Sequence, residues 1–270
     1  MKPHTDNMAL RWWALVISIV NPVFAYIANA TGITPRSIAD VSMKYDTYFM
    51  PAGYAFSIWG VIYLSFLVYA IYQLLPAQRR RTVYDRLAVP FIVTNLLGMG
   101  WQIAFTNELL TLGTIIIAAM LVCSIILYAM VRTCIMQEIC MYWLSVPFSL
   151  YMGWLSVANI ANAATWLTWM GWNGGSLTPL QWAVVMVFSA GGLGLVISLY
   201  FKDWVYPLVI AWACFAISVS AQFTSRVLAT DSVIVALLSM LCSAAVGVWQ
   251  YLHYKAHHMI NTHKPGQHAH

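Results

Sequence analysis

The chain has 270 residues, of which 61% are hydrophobic and 8% charged, and a mean hydropathy of +0.74. Soluble domains carry about 25% charged residues, so this composition excludes a soluble globular protein and puts most of the chain in lipid. The net charge of +5 comes from basic residues scattered between apolar runs, a pattern that excludes a nucleic-acid surface.

Eight apolar runs follow in chain order: 12–31, 53–75, 87–106, 110–131, 141–169, 179–201, 204–223 and 232–254. A spanning helix needs about 20 such residues, so the expectation is an all-α polytopic membrane protein of about eight transmembrane helices. The first run, in "RWWALVISIVNPVFAYIANAT", has the basic start and small-residue end of a signal segment. Its length and the Asn21-Pro22 interruption favour a retained span; cleavage would leave seven helices. The loop 32–52 carries Arg36, Asp40, Lys44 and Asp46 and reads as a cap over the mouth of the second run. Proline marks several boundaries: Pro51 before the second run, Pro76 after it, Pro90 early in the third and Pro147 inside the long fifth. "GWNGGSLT" before Pro179 is a glycine-rich seam. In the sixth run, Ala190-Gly191-Gly192-Leu193-Gly194 lets helices approach closely, either within the chain or in a homodimer. The polar tail 256–270 reads as disordered, and its histidines lack fixed metal geometry.

Lys and Arg set the orientation. Ten fall on the side of the amino terminus (Lys2, Arg11, Arg79, Arg80, Arg81, Arg86, Arg132, Lys202, Lys255, Lys264) and three on the other (Arg36, Lys44, Arg226). That asymmetry predicts two cytoplasmic termini. The Arg79–Arg81 cluster with Arg86 serves this orientation or meets lipid headgroups.

All eight acidic residues fall at run ends or in loops, and no Lys or Arg lies mid-span. Proton relays, ion-coupled carriers and voltage sensors need ionisable groups at depth, so those classes are disfavoured. No H-E-x-x-H, G-x-S-x-G or P-loop is present, and no catalytic or metal-binding residue is assigned. The five cysteines have no C-x-x-C spacing and read as reduced, structural thiols.

The chemistry at depth is therefore aromatic and amide. Phe56, Trp59, Tyr63 and Phe66, spaced 3, 4, 3, share one helix face. Thr94, Gly98, Trp101 and Phe105 form a second stripe, and Tyr151, Trp154, Ala158 and Asn162 a third. The stripes either pack against one another or wall a hollow suited to a flat, mostly apolar ligand.

Three segments, in order, resemble the TspO/MBR family, the tryptophan-rich sensory or translocator proteins. Pro51-Ala52-Gly53-Tyr54-Ala55-Phe56-Ser57, followed by Trp59 and Tyr63, is similar to the pattern that opens the family's second helix. "NLLGMGWQIAF" supplies Trp101 and Phe105 of its third-helix signature; "VPFSLYMGWLSVANIAN" supplies Pro147, Trp154, Ala158 and Asn162 of its fifth. Here the step from Phe56 to Trp59 is one residue shorter than in the family, and Gly98 stands where the family carries asparagine. The resemblance covers about residues 10–172 and implies a five-helix bundle over 1–172; the three further helices expected over 173–255 have no counterpart in that five-helix family, so the chain looks like an extended branch of it. The resemblance also implies a tetrapyrrole (porphyrin or haem-like) or sterol-like ligand in a pocket closed by the loop after the first helix. By this resemblance the ligand-binding residues are Tyr54, Phe56, Trp59, Tyr63, Trp101, Tyr151, Trp154, Ala158 and Asn162. Sensing or carriage of the ligand is one reading; a facilitator or a porphyrin-degrading enzyme using the same cavity is the other. Membrane lipids and the small hydrophobic ligand are the expected partners.

Overall fold

The computed structural model describes residues 7–45 and 47–262, with Asn29, Tyr254 and 256–262 described by backbone alone. The elements are α1 (Met8–Ala30), α2 (Ile38–Lys44), α3 (Ile58–Tyr72), α4 (Val83–Thr106), α5 (Leu110–Met136), α6 (Val146–Trp169), α7 (Pro179–Phe201), α8 (Val205–Ala221) and α9 (Arg226–Thr262). Short 3₁₀ segments at Gly53–Ser57, Pro76–Gln78 and Tyr142–Ser145 lead into or follow helices. Among the described residues there is no strand. Seven of these helices are long and apolar enough to cross a membrane: α1, α3 with its leading 3₁₀ segment, α4, α5, α6, α7 and α9. The chain is an all-α polytopic membrane protein.

The seventh apolar run differs from the expected 204–223 span. It forms α8, a helix of 17 residues, about 26 Å long at 1.5 Å per residue, against a hydrocarbon core of about 30 Å. Helices that are apolar all round are interior helices, and α8 buries most of its length, from Val205 and Tyr206 to Ile217 and Ala221, leaving one stripe with Leu208 and Phe215 exposed. It lies beside α6, the other deeply buried helix, while α1, α7 and α9 turn many apolar side chains outward. Glycines permit the approach. A Cβ on Gly153 of α6 would stand 3.0 Å from Val209 of α8, and one on Gly194 of α7 would stand 3.1 Å from Ile210. Gly191 backs onto Val235 of α9, whereas Gly192 faces open space. The small-residue patch is thus spent largely on contacts within the chain.

Charges that the sequence places at headgroup level prove enclosed. Arg11 is 0% exposed; its Nε donates to Asp85 Oδ1 at 2.7 Å, and its Nη atoms donate to the carbonyls of Gln73, Gln78, Arg79 and Arg81. It ties α1 to the C-terminal end of α3, where partial negative charge gathers. Arg132 donates to the Phe201 carbonyl and to Ser145 Oγ. Asp203, also 0% exposed, accepts from Tyr128 and Ser149 through Oδ2, and from the backbone N–H groups of Val205 and Tyr206 through Oδ1. It caps α8 from inside the bundle. Arg11 and Asp203 are compensated by hydrogen bonds, as a buried charge requires, whereas Arg132 is bonded through its Nη atoms and leaves Nε without a partner.

The cysteine reading also needs correction. Cys134 and Cys140 form a disulfide that folds the α5–α6 connection back on itself, while Cys123, Cys214 and Cys242 are free thiols. Backbone helix continues to Thr262, so 256–262 extend α9; the remainder of the expected disordered tail, 263–270, lies outside the described residues, as does Asp46 of the expected cap.

Candidate ligand-binding site

The entrance to α3 sets the site. Ala52 N donates to the Ala216 carbonyl of α8 at 3.0 Å, and Trp212 Nε1 donates to the Ala55 carbonyl at 3.2 Å. These bonds hold Gly53–Ser57 as a 3₁₀ segment. Residues three apart eclipse in a 3₁₀ turn, so Phe56 and Trp59 line the same interior space at a spacing of three. The shortened step in the sequence is thereby absorbed.

Trp59 is the hub. Its ring lies 5.8 Å from Tyr63 (stacked), 6.2 Å from Trp101, 6.4 Å from Tyr151 and 6.4 Å from Trp154. Rings from α3, α4 and α6 therefore converge, and a cavity of about 270 Å³ opens beside them. Its walls are Phe56, Trp59, Tyr63 and Phe66 from the α3 side; Asn95, Gly98, Trp101 and Gln102 from α4; Tyr151 from α6; and Asn21, Ala25 and Met120 from α1 and α5. On the other face of the Phe56–Trp59–Trp101 partition, Trp154, Ala158 and Asn162 line a smaller gap of about 30 Å³. Of the residues expected from sequence, five (Phe56, Trp59, Tyr63, Trp101, Tyr151) wall the cavity and three (Trp154, Ala158, Asn162) line the gap. Tyr54 stands in neither; it is 42% exposed and packs edge-on against Trp212, 5.4 Å away.

Two amides were not picked out for the site. Asn21 Nδ2 donates to Asn95 Oδ1 at 2.9 Å, and Asn95 Nδ2 donates to the Phe91 carbonyl at 2.8 Å. Gly98 leaves room for this: a Cβ there would stand 3.6 Å from Asn21 Nδ2. The signal in the sequence was the polar Asn21-Pro22 step inside an apolar run. Tyr151 is fixed by a 2.7 Å hydrogen bond between its hydroxyl and Thr94 Oγ1. The indole N–H groups of Trp59, Trp101 and Trp154, and Asn162 Oδ1, are buried without a partner. Buried polar groups usually have one.

Over the cavity lies α2, which contributes Ile38 and Ala39 to the wall. A reciprocal capping box between Ser37 and Asp40 starts the helix. Hydrogen bonding from Ser37, first through its side chain and then its backbone, and the neighbouring Arg36 hold the Asp40 carboxyl below its ordinary 3.8. Its contribution to the cap is therefore present above 3.8 and fades as pH falls through the lower folded value. Glu108 in the α4–α5 turn latches both ends of the lid: Arg36, just ahead of α2, and Lys44, at its end, form ion pairs with it, and Tyr45 donates its hydroxyl to the same carboxylate at 2.6 Å.

A family model described as "TSPO-like protein" matches residues 11–249, which takes in the final three helices as well as the first five spans. No curated protein and no solved structure matches the chain. With that match over most of its length, and with aromatic rings from three spans gathered beside a lidded intramembrane cavity, the chain belongs to the TSPO-like family.

Proposed function

We propose that this protein is a membrane sensor or carrier that binds a flat, largely apolar ligand bearing a hydrogen-bond acceptor, of the tetrapyrrole or sterol-like class, in the cavity under α2. One observation carries the reading: Trp59 and Trp101 line the cavity, and their indole N–H groups, enclosed in the ring cluster, are unpartnered, so that a turn of the rings would offer them to a ligand. An indole N–H only donates, so the complementary ligand offers a carbonyl, carboxylate or hydroxyl oxygen, while stacking on Trp59 and Tyr63 supplies the apolar contact. The cavity, about 270 Å³, lies just under the usual span of roughly 300–1,000 Å³ for ligand sites. A tetrapyrrole macrocycle therefore enters only with displacement of α2, or by turning the Trp59–Trp101 partition so that cavity and gap merge. A sterol-like ligand makes a smaller demand on the lid. We also place both termini in the cytoplasm, from the ten-to-three excess of Lys and Arg on their side; this requires α8, which runs from Asp203 beside Tyr128 and Ser149 to Ala216 against Ala52, to cross as an eighth, short span.

The test is a titration of the purified protein with protoporphyrin, followed by ligand absorbance so that loss of a fluorophore does not alter the readout. Trp59→Phe with Trp101→Phe should raise the half-saturation concentration by about 10-fold or more, from two hydrogen bonds of about 1 kcal/mol each. Trp154→Phe, behind the partition, should change it far less. Equal affinity for wild type and the double variant would remove the assignment. A parallel titration with a sterol ranks the two ligand classes.

A further inference from the structure

At the opposite end of the bundle from α2, a second cavity of about 610 Å³ lies between the start of α4 and the end of α5. Arg80, Arg81, Thr82 and Arg86 line one side of it, and Thr133 and Gln137 the other. Val83, Ala129 and Met130 make its apolar part. The disulfide between Cys134 and Cys140 turns the chain after α5 back towards α4, and Arg81 Nη1 donates to the Ile139 carbonyl at 2.7 Å. That bond tethers the two walls.

The charge in this cleft is uncompensated. Asp85, on the first turn of α4, is engaged by the buried Arg11. Glu138 sits in the adjacent turn but does not line the cleft, and none of the three ion pairs among the described residues involves Arg80 or Arg86. Both guanidinium groups belong to exposed residues. The apolar span of α4 begins at Val83 and that of α5 ends at Met136, so the cleft straddles the depth at which lipid phosphates lie. Positive charge alone would serve orientation. A concave site with two free guanidinium groups, two hydroxyls and an apolar floor does more, because arginine forks match phosphate oxygens bidentately while the floor accepts the start of an acyl chain.

We infer that this cleft is a binding site for the phosphate headgroup of an anionic membrane lipid, held by Arg80 and Arg86. The site is separate from the aromatic cavity and does not depend on the ligand proposed for it.

The experiment uses delipidated full-length protein in neutral detergent and native mass spectrometry, with phosphatidylglycerol and phosphatidylcholine as probes. Phosphatidylglycerol adducts should exceed phosphatidylcholine adducts at least fivefold. Arg80→Gln with Arg86→Gln should abolish that preference, and the double Lys variant should keep part of it. Thr133→Trp, which fills the cleft and leaves both arginines in place, should also abolish it. Loss with the Gln variant but not with Thr133→Trp would mean diffuse surface attraction and overturn the site. Displacement of phosphatidylglycerol by millimolar inorganic phosphate, with no preference over phosphatidylcholine, would overturn the lipid assignment in favour of a soluble anion. Circular dichroism of each variant checks the fold; because Arg80, Arg86 and Thr133 are exposed, unchanged spectra are expected.

Discussion

Trp59 and Gly98 define the cavity in complementary ways, one by filling space and one by leaving it. Trp59 touches rings from two other spans, so its side chain cannot be judged as lipid-facing or core from its own helix alone. Gly98 shapes the opposite wall. A single methyl there meets only ordinary contacts, at 3.5 Å to Met120 Cε and 3.6 Å to Asn21 Nδ2. A longer branched side chain must project into the cavity or push Asn21 from Asn95. Gly98→Ala should therefore leave porphyrin affinity within about twofold, and Gly98→Leu should abolish saturable binding while the helical spectrum is retained. Binding that survives Gly98→Leu unchanged would place the ligand elsewhere. The stripe Phe56, Trp59, Tyr63 was readable in the sequence because helical periodicity fixes which residues share a face. The position of Tyr54 outside the cavity lining was not readable, because the 3₁₀ geometry before α3 depends on bonds from α8, more than 150 residues away in the chain. No local pattern contains that information.

The elements most exposed to function are α2 and α8, and sequence treated them unequally. The lid was legible from a charged loop standing between two apolar runs. Its latch was not, since Glu108 lies in a tight turn far along the chain and its partners meet only in three dimensions. Exposed ion pairs contribute about 0–1 kcal/mol each, and here one carboxylate gathers two cations and a phenol. Glu108→Gln should therefore loosen the lid without unfolding the bundle, raising the ligand dissociation rate about 3- to 10-fold in stopped-flow mixing. High salt should mimic the substitution in the wild type, and a rate insensitive to both would show that α2 does not gate the cavity. For α8, the apolar run gave the helix but not its interior position, because hydropathy cannot tell lipid from protein as the apolar neighbour. Asp203 anchors it. Removing that carboxylate leaves two hydroxyls and two backbone N–H groups without their acceptor. Asp203→Ala should cost on the order of 3 kcal/mol, the sum of a lost cap and unsatisfied buried hydroxyls. Asp203→Asn should cost less, since its amide oxygen can still cap α8. Thermal melting in detergent orders the two.

For the molecule as a whole, two signals at one end of the bundle point in opposite directions. Arg11, the Arg79–Arg81 cluster and Arg132 gather there, and such an excess of positive charge governs insertion with that end in the cytoplasm. The Cys134–Cys140 disulfide sits at the same end, and disulfides persist in oxidising compartments rather than in the cytosol. The two act at different stages. Charge decides topology while the helices insert, whereas the redox state of a short exposed connection is set afterwards by the compartment it reaches. Topology should therefore follow the arginines. A fluorescent protein fused after His270 should fluoresce, and an alkaline phosphatase fusion at the same point should be inactive. In that orientation, alkylation of intact cells with a membrane-permeant maleimide should find Cys134 and Cys140 as free thiols, which oxidise to the disulfide once the protein is purified without reductant. Active phosphatase together with an alkylation-resistant pair would invert the molecule, put α2 and the mouth of the aromatic cavity on the cytoplasmic face, and reverse the side from which a ligand is captured.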